Sequence, residues 1–182
     1  MSSFGSLNAQ PTLSNELIAI KPLVEDSFES LYAVASDPLV WEQHPNKNRY
    51  RREVFHTFFK GALESQGAFV VIDNKSGETI GSSRFYDYAQ KKYSSVHIGY
   101  TFLGRKYWGG VYNPSLKALM INYALQFVDR VFFQIGAVNF RSQIAIERLG
   151  AVKIGEAEIE YYGEEPKLNY LYEIKKESWT NT

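Results

Sequence analysis

From Leu17 to Leu23 apolar residues alternate with Glu16, Ala19 and Lys21 around them, the period-two pattern of a strand, and Pro22 fits near the end of an edge strand. Phe28, Leu31, Tyr32 and Ala35 then recur at helical spacing behind an N-cap at Asp26 or Ser27, until Asp37-Pro38 stops the run. After a turn-rich stretch from Trp41 to Tyr50, the positions Val54, Phe55, Phe58, Phe59 and Leu63 mark a second helix running to Gly67. Phe69 to Ile72 and Thr79 to Tyr88 read as a hairpin about Asn74-Lys75-Ser76-Gly77, and Ser94 to Leu103 adds a third strand to the meander. Leu116, Leu119, Met120, Tyr123, Ala124 and Phe127 share one helical face, Val131 to Ile135 is a compact apolar strand, and Asn139 caps a short helix ending at Gly150. Val152 to Ile159 and Asn169 to Lys175 close the chain as strands joined through Gly163 and Pro166. The order βααβββαβαββ predicts an α+β fold, a mixed sheet covered by helices on both faces.

Composition narrows this picture. A chain of 182 residues with 45% hydrophobic and 15% aromatic side chains can bury a core, and its length suits one domain, placed at residues 13–182. Met1 to Thr12 mixes Ser, Gly, Asn and Gln without a basic start or an apolar run; it reads as a flexible tail and not as a secretory signal. Twenty basic and twenty acidic residues cancel, so no global field draws nucleic acid or an anionic membrane. With no cysteine there is no disulfide framework, thiolate metal site or cysteine nucleophile, which suits a cytoplasmic setting. No run of eighteen apolar residues predicts a membrane span.

The turn Arg105-Lys106-Tyr107-Trp108-Gly109-Gly110-Val111-Tyr112-Asn113 joins a strand to a helix start, where free N–H groups and the positive end of the dipole favour anions. Adjacent glycines let the main chain approach a pyrophosphate, with Arg105 and Lys106 adding charge; they equally serve a tight turn that needs positive φ. The P-loop string is absent, and a Rossmann reading fails because Asp129, at the right separation, precedes the strand at Val131.

His97-Ile98-Gly99-Tyr100-Thr101-Phe102-Leu103, Tyr107-Trp108-Gly109, Asn139-Phe140-Arg141-Ser142 and Glu147-Arg148-Leu149-Gly150 together resemble the GNAT superfamily of N-acetyltransferases, in its RimJ/RimL-like branch. A looser resemblance runs from the Leu17 strand and Asp37-Pro38 to Ser178-Trp179. Two departures stand out: Gly110-Val111 where the branch has a basic residue and then glycine, and Pro114-Ser115-Leu116 in place of Thr-Glu-Ala. The resemblance implies a GNAT-like, mostly antiparallel central sheet, acetyl-CoA as co-substrate and no metal.

Carried over residue by residue, it implies that the strand end at Phe102 and Leu103 meets the pantetheine arm through its backbone. The phosphates fall to Arg105, Trp108, Gly109, Gly110, Val111, Tyr112 and Asn113, with Asn139 and Ser142 as further cofactor contacts. The superfamily's tyrosine acid, seven residues after the Asn, is Ile146 here; the branch offers Ser142 instead. Asn139 and Ser142 also fit an ordinary N-cap and first turn. His97 stands where the branch often has Glu and titrates near neutrality, so it is the candidate base, or a surface imidazole; the same two readings apply to His44. Lys47, Arg49, Arg51 and Arg52 either greet an acidic acceptor or form a solvated helix start, and Tyr86, Tyr88, Tyr161 and Tyr162 either line a cleft or pack the sheet. The expected acceptor is a protein N-terminal amine or a small-molecule amine, without nucleic acid or membrane, and self-association would take the form of a homodimer. The alternatives are a CoA-binding module without turnover and, more distantly, a nucleotide-binding regulator.

Overall fold

The computed structural model describes residues 6–161 and 164–180. Eight strands form one sheet among them: β1 Leu13–Ser14, β2 Ile18–Pro22, β3 Ala68–Asp73, β4 Thr79–Gln90, β5 Ser94–Leu103, β6 Arg130–Gly136, β7 Val152–Ile159 and β8 Lys167–Lys175. The helices are α1 Phe28–Ala35, α2 Arg52–Glu64, α3 Tyr112–Ala124 and α4 Phe140–Glu147. Strand order is β1-β2-β3-β4-β5-β6-β8-β7, antiparallel throughout except where β5 runs parallel to β6. The α+β architecture read from the sequence is therefore the observed one. The two-residue β1 is an addition that no periodicity could announce. It pairs only with Ala19 and Ile20, so at Pro22 strand β2 is an edge and the missing N–H costs no ladder bond.

Helical spacing decides which face each helix covers. Leu116, Met120, Ile121 and Ala124 of α3 pack with Ile98, Val131, Phe133 and Ile146 on one face of the sheet. Leu31 of α1 and Phe55, Phe58 and Phe59 of α2 pack with Trp41, Val70 and Phe102 on the other. Of the stretch expected as a tail, residues 1–5 lie outside the described residues. Leu7 joins the α3-side core, and Tyr123 Oη donates to Asn8 O at 2.9 Å. Tyr162, expected to line a cleft or pack the sheet, and Gly163, expected in the joint between the last two strands, also lie outside the described residues. Among the described residues no helix is long and apolar enough to cross a membrane.

Candidate active site

Strands β5 and β6 are hydrogen-bonded only at their start, Ser95 to His97 against Arg130 to Phe132. Beyond that they diverge. The cause is local: opposite Ser83, β5 carries an extra residue, since Ser82 pairs with Phe102 but Arg84 with Gly99. Tyr100 sits in this bulge at φ 52°, a left-handed backbone unusual for a tyrosine, and a bulge bends its strand away from regular pairing. The resulting wedge opens at the carboxyl ends of a parallel pair, where such sheets characteristically hold ligands. It is a cavity of about 540 Å³, lined along β5 from Ile98 to Leu103 and along β6 from Phe133 to Gly136.

Helix α3 follows β5 and helix α4 follows β6, so both present their N-termini to this wedge. They differ in capping. The Asn139 side chain accepts from Ser142 N at 3.3 Å and closes α4. At α3 no side chain caps, and Pro114 contributes no N–H. The first helical bond there is Ser115 N to Val111 O, and no acceptor meets the N–H groups of Gly109 to Asn113 among the described residues. Gly109 adopts φ 69° and so needs glycine's freedom, whereas Gly110 does not; a Cβ at either would touch nothing within 4 Å. An uncapped helix start with clear space before it is a ready anion site. The tight-turn reading thus accounts for Gly109 and leaves Gly110 without a steric reason.

Of the expected cofactor contacts, Phe102, Leu103, Trp108, Gly109, Gly110, Asn113, Asn139 and Ser142 line the cavity. Arg105 is instead bonded to Asp37, Val111 is 65% exposed, and Tyr112 Oη donates to Asp73 Oδ1 at 3.0 Å; none of the three is on the wall. Trp108 is held by its Nε1 donating to Leu103 O at 2.8 Å, and Arg141 stacks on its ring at 3.9 Å. Arg141, paired with Glu42 at 2.9 Å, and Arg148 line the cavity. Glu147 and Gly150 have structural tasks: Glu147 Oε1 accepts from Tyr172 Oη at 2.9 Å, and Gly150 turns the chain at φ 90° after α4.

His97 is off the cavity wall, its ring between those of Tyr86 and Phe132 at 5.0 and 5.3 Å, and burial lowers its pKa. His44 does line the cavity. Asn46 N–H donates to His44 Nδ1 at 2.9 Å, and Arg49 Nη1 lies 3.2 Å from Nε2. Burial and the adjacent Arg49 push its pKa well down, so it is neutral with its lone pair engaged. The basic loop divides: Arg49 is buried on the wall against Glu164, Arg52 pairs with Glu29 outside, and Lys47 and Arg51 are exposed. Tyr86 and Tyr161 line the cavity while Tyr88 does not.

Lys117 escaped the sequence reading. It lines the cavity at 6% exposure and donates from Nζ to Thr101 Oγ1. The signal was present in the spacing, since Lys117 precedes Ile121 and Ala124 by one and two turns on the stripe that α3 buries.

The family model of the acetyltransferase (GNAT) domain matches residues 18–152 of the chain. Among solved structures the chain is similar to a GNAT-family acetyltransferase from Bacillus anthracis at 20% identity, over 92% of this chain and 100% of that one, with TM-score 0.73. It is similar to the ribosomal-protein-S5-alanine acetyltransferase from Vibrio fischeri at 17% identity, over 94% and 100%, TM-score 0.66. Mycobacterium smegmatis RimJ in complex with CoA-disulfide matches at 14% identity over 94% and 85%, TM-score 0.69. At these identities the likeness is one of fold. No curated protein sequence matches the chain significantly.

Proposed function

The chain belongs to the acetyltransferase (GNAT) domain family, and from that premise we propose that it is an N-acetyltransferase moving an acetyl group from acetyl-CoA directly to a primary amine. The amine is the N-terminus of a peptide or belongs to a small molecule, as in the RimJ/RimL-like branch. One observation carries the reading: the β5–β6 wedge is lined by an uncapped helix start and by the aromatic rings of Tyr86, Tyr100 and Tyr161.

Acetyl-CoA supplies the acyl group as a thioester, and what remains for the protein is to bind, orient and move protons. The free N–H groups from Gly109 to Asn113 take the phosphates, with Arg141 and Arg148 adding charge. The β5 main chain past His97 is unpaired toward β6, so its groups from Tyr100 to Leu103 are free to hold the pantetheine amides and polarise the thioester carbonyl. Ser142 Oγ, at the α4 start on the wall, donates a hydrogen bond to the leaving sulfur. We assign no proton transfer to His97, whose ring lies outside the wall.

Ile146 on the wall, where relatives place a tyrosine, supports the second reading of a CoA-binding module without turnover. Thiol release from acetyl-CoA, followed with a panel of amines and peptides, separates the two. Release with any acceptor supports the enzyme, and tight CoA binding without release for all of them supports the module.

A further inference from the structure

Lys117 is a buried lysine on the cavity wall, beside β5. Its Nζ bonds to Thr101 Oγ1 on β5, and Thr101 is in turn 2.8 Å from Ser83 Oγ on β4. Toward β6, Nζ lies 5.9 Å from the centroid of the Phe133 ring. From α4, Ser142 and Ile146 reach the same cavity, while the nearby cation Arg141 is bound to Glu42 at 2.9 Å and stacked on Trp108. No ion pair to Lys117 exists among the described residues.

A lysine in this setting is costly to the fold, because a buried ammonium without a counter-ion loses its hydration for one hydroxyl partner. An apolar side chain on the stripe it shares with Ile121 and Ala124 would pack there at no such cost. The charge becomes useful if a negative charge arises beside it. In acetyl transfer that charge falls on the departing sulfur. A serine hydroxyl is a far weaker acid than a thiol, so Ser142 can hydrogen-bond the sulfur but cannot leave it protonated, and the tyrosine position is Ile146.

We propose that Lys117 is the acid of the reaction, its ammonium meeting the departing sulfur and protonating it. The inference rests on the acetyltransferase reading above. The acceptor nitrogen forms its bond to the acyl carbon, the carbon–sulfur bond breaks with its electron pair on sulfur, and one Nζ–H proton passes to the sulfur. The acceptor nitrogen releases its proton to solvent and Lys117 regains one from solvent, so an amine and a thioester give an amide and a thiol. Burial alone lowers the lysine to about 7, which matches a group that must give up and recover a proton near neutral pH.

The test compares the wild type with Lys117→Met and Lys117→Arg by two readouts. First, CoA is bound to each protein and its thiolate absorbance is titrated. A cation beside the sulfur lowers the thiol's pKa by roughly one unit or more in Lys117→Arg, whose guanidinium stays charged while the thiol titrates, but not in Lys117→Met. Equal titration of Lys117→Arg and Lys117→Met overturns the placement. Second, kcat at neutral pH falls by roughly 10²-fold or more in Lys117→Met, and Lys117→Arg, charged but unable to give up its proton, does not restore it. Full activity in Lys117→Arg overturns proton donation. If CoA binds but no amine is acetylated, the enzyme reading fails while the thiol titration still decides where the charge lies.

Discussion

Arg49 and Glu164, 115 positions apart, meet at a single carboxylate oxygen: Arg49 Nε and Nη2 both donate to Glu164 Oε1, at 2.8 and 2.6 Å. The pair is buried, with Arg49 stacked 4.5 Å above Phe58, and it ties the loop before α2 to the one between β7 and β8 beside the cavity. Losing one partner strands the other's charge, which costs about 3–5 kcal/mol. Arg49→Met or Glu164→Met alone should therefore lower the melting temperature by roughly 10 °C, and the double variant by clearly less. Calorimetry of the three variants checks this; strictly additive losses would mean that the pair is not coupled.

Lys117 makes stability depend on pH in a definite direction. Its folded-state pKa is about 7 against an ordinary 10.5, so between these values the unfolded chain binds more protons than the folded one. Stability from this group therefore rises as pH climbs from about 7 toward 10.5, and the penalty is fully present below 7. Lys117→Met should melt several degrees above the wild type at pH 6, with the difference shrinking by pH 10. A gain independent of pH would show that packing, not charge, is responsible.

These two cations also mark the limits of what could be read beforehand. The helices and strands were legible because each buries one stripe, and hydrophobic spacing reports a stripe directly. The uncapped turn at Trp108-Gly109-Gly110 was legible through its residue types. The bulge at Tyr100 was not, since it arises from β4 and β5 pairing out of step, and no single strand encodes a mismatch with its neighbour. Arg49 stood open between an acceptor contact and a solvated helix start because its partner, Glu164, lies beyond five intervening strands. His97 stood open between a base and a surface imidazole because strand alternation says which side a residue faces, not that its ring lies between those of Tyr86 and Phe132.

Arg84 on β4 is 5% exposed, its Nε has no hydrogen-bond partner, and its guanidinium lies 3.8 Å over the Tyr100 ring. Burial lowers its pKa to about 10, so it stays charged at neutral pH without a carboxylate. A ring face returns less than the lost hydration. Arg84→Met should therefore raise the melting temperature by a few degrees, read by thermal denaturation at pH 7. A fall instead would show that the stack on Tyr100 outweighs desolvation.

Ser142→Ala separates a hydrogen bond to the leaving group from a role in folding. Asn139 caps α4 through the Ser142 main-chain N–H, so the cap survives loss of the hydroxyl. The melting temperature should stay within about 1 °C, while kcat falls by roughly tenfold with little change in KM for acetyl-CoA. A matched rise in KM with unchanged kcat would place Ser142 in ground-state binding.

Gly109 and Gly110 separate a turn from a phosphate cradle. At φ 69°, Gly109 would force an alanine into the left-handed region, so Gly109→Ala should cost about 1 kcal/mol of stability and a few degrees of melting temperature. Gly110 has no positive φ and its Cβ would meet no atom, so Gly110→Ala should leave the melting temperature unchanged. That Cβ would nevertheless stand in the clear space before the free N–H groups of α3, where a pyrophosphate must come close. Calorimetric titration should then show CoA binding weakened by roughly tenfold, about 1.4 kcal/mol, in Gly110→Ala. If only Gly109→Ala weakens CoA, and in proportion to its lost stability, the glycine pair serves the turn alone and the phosphates are held elsewhere.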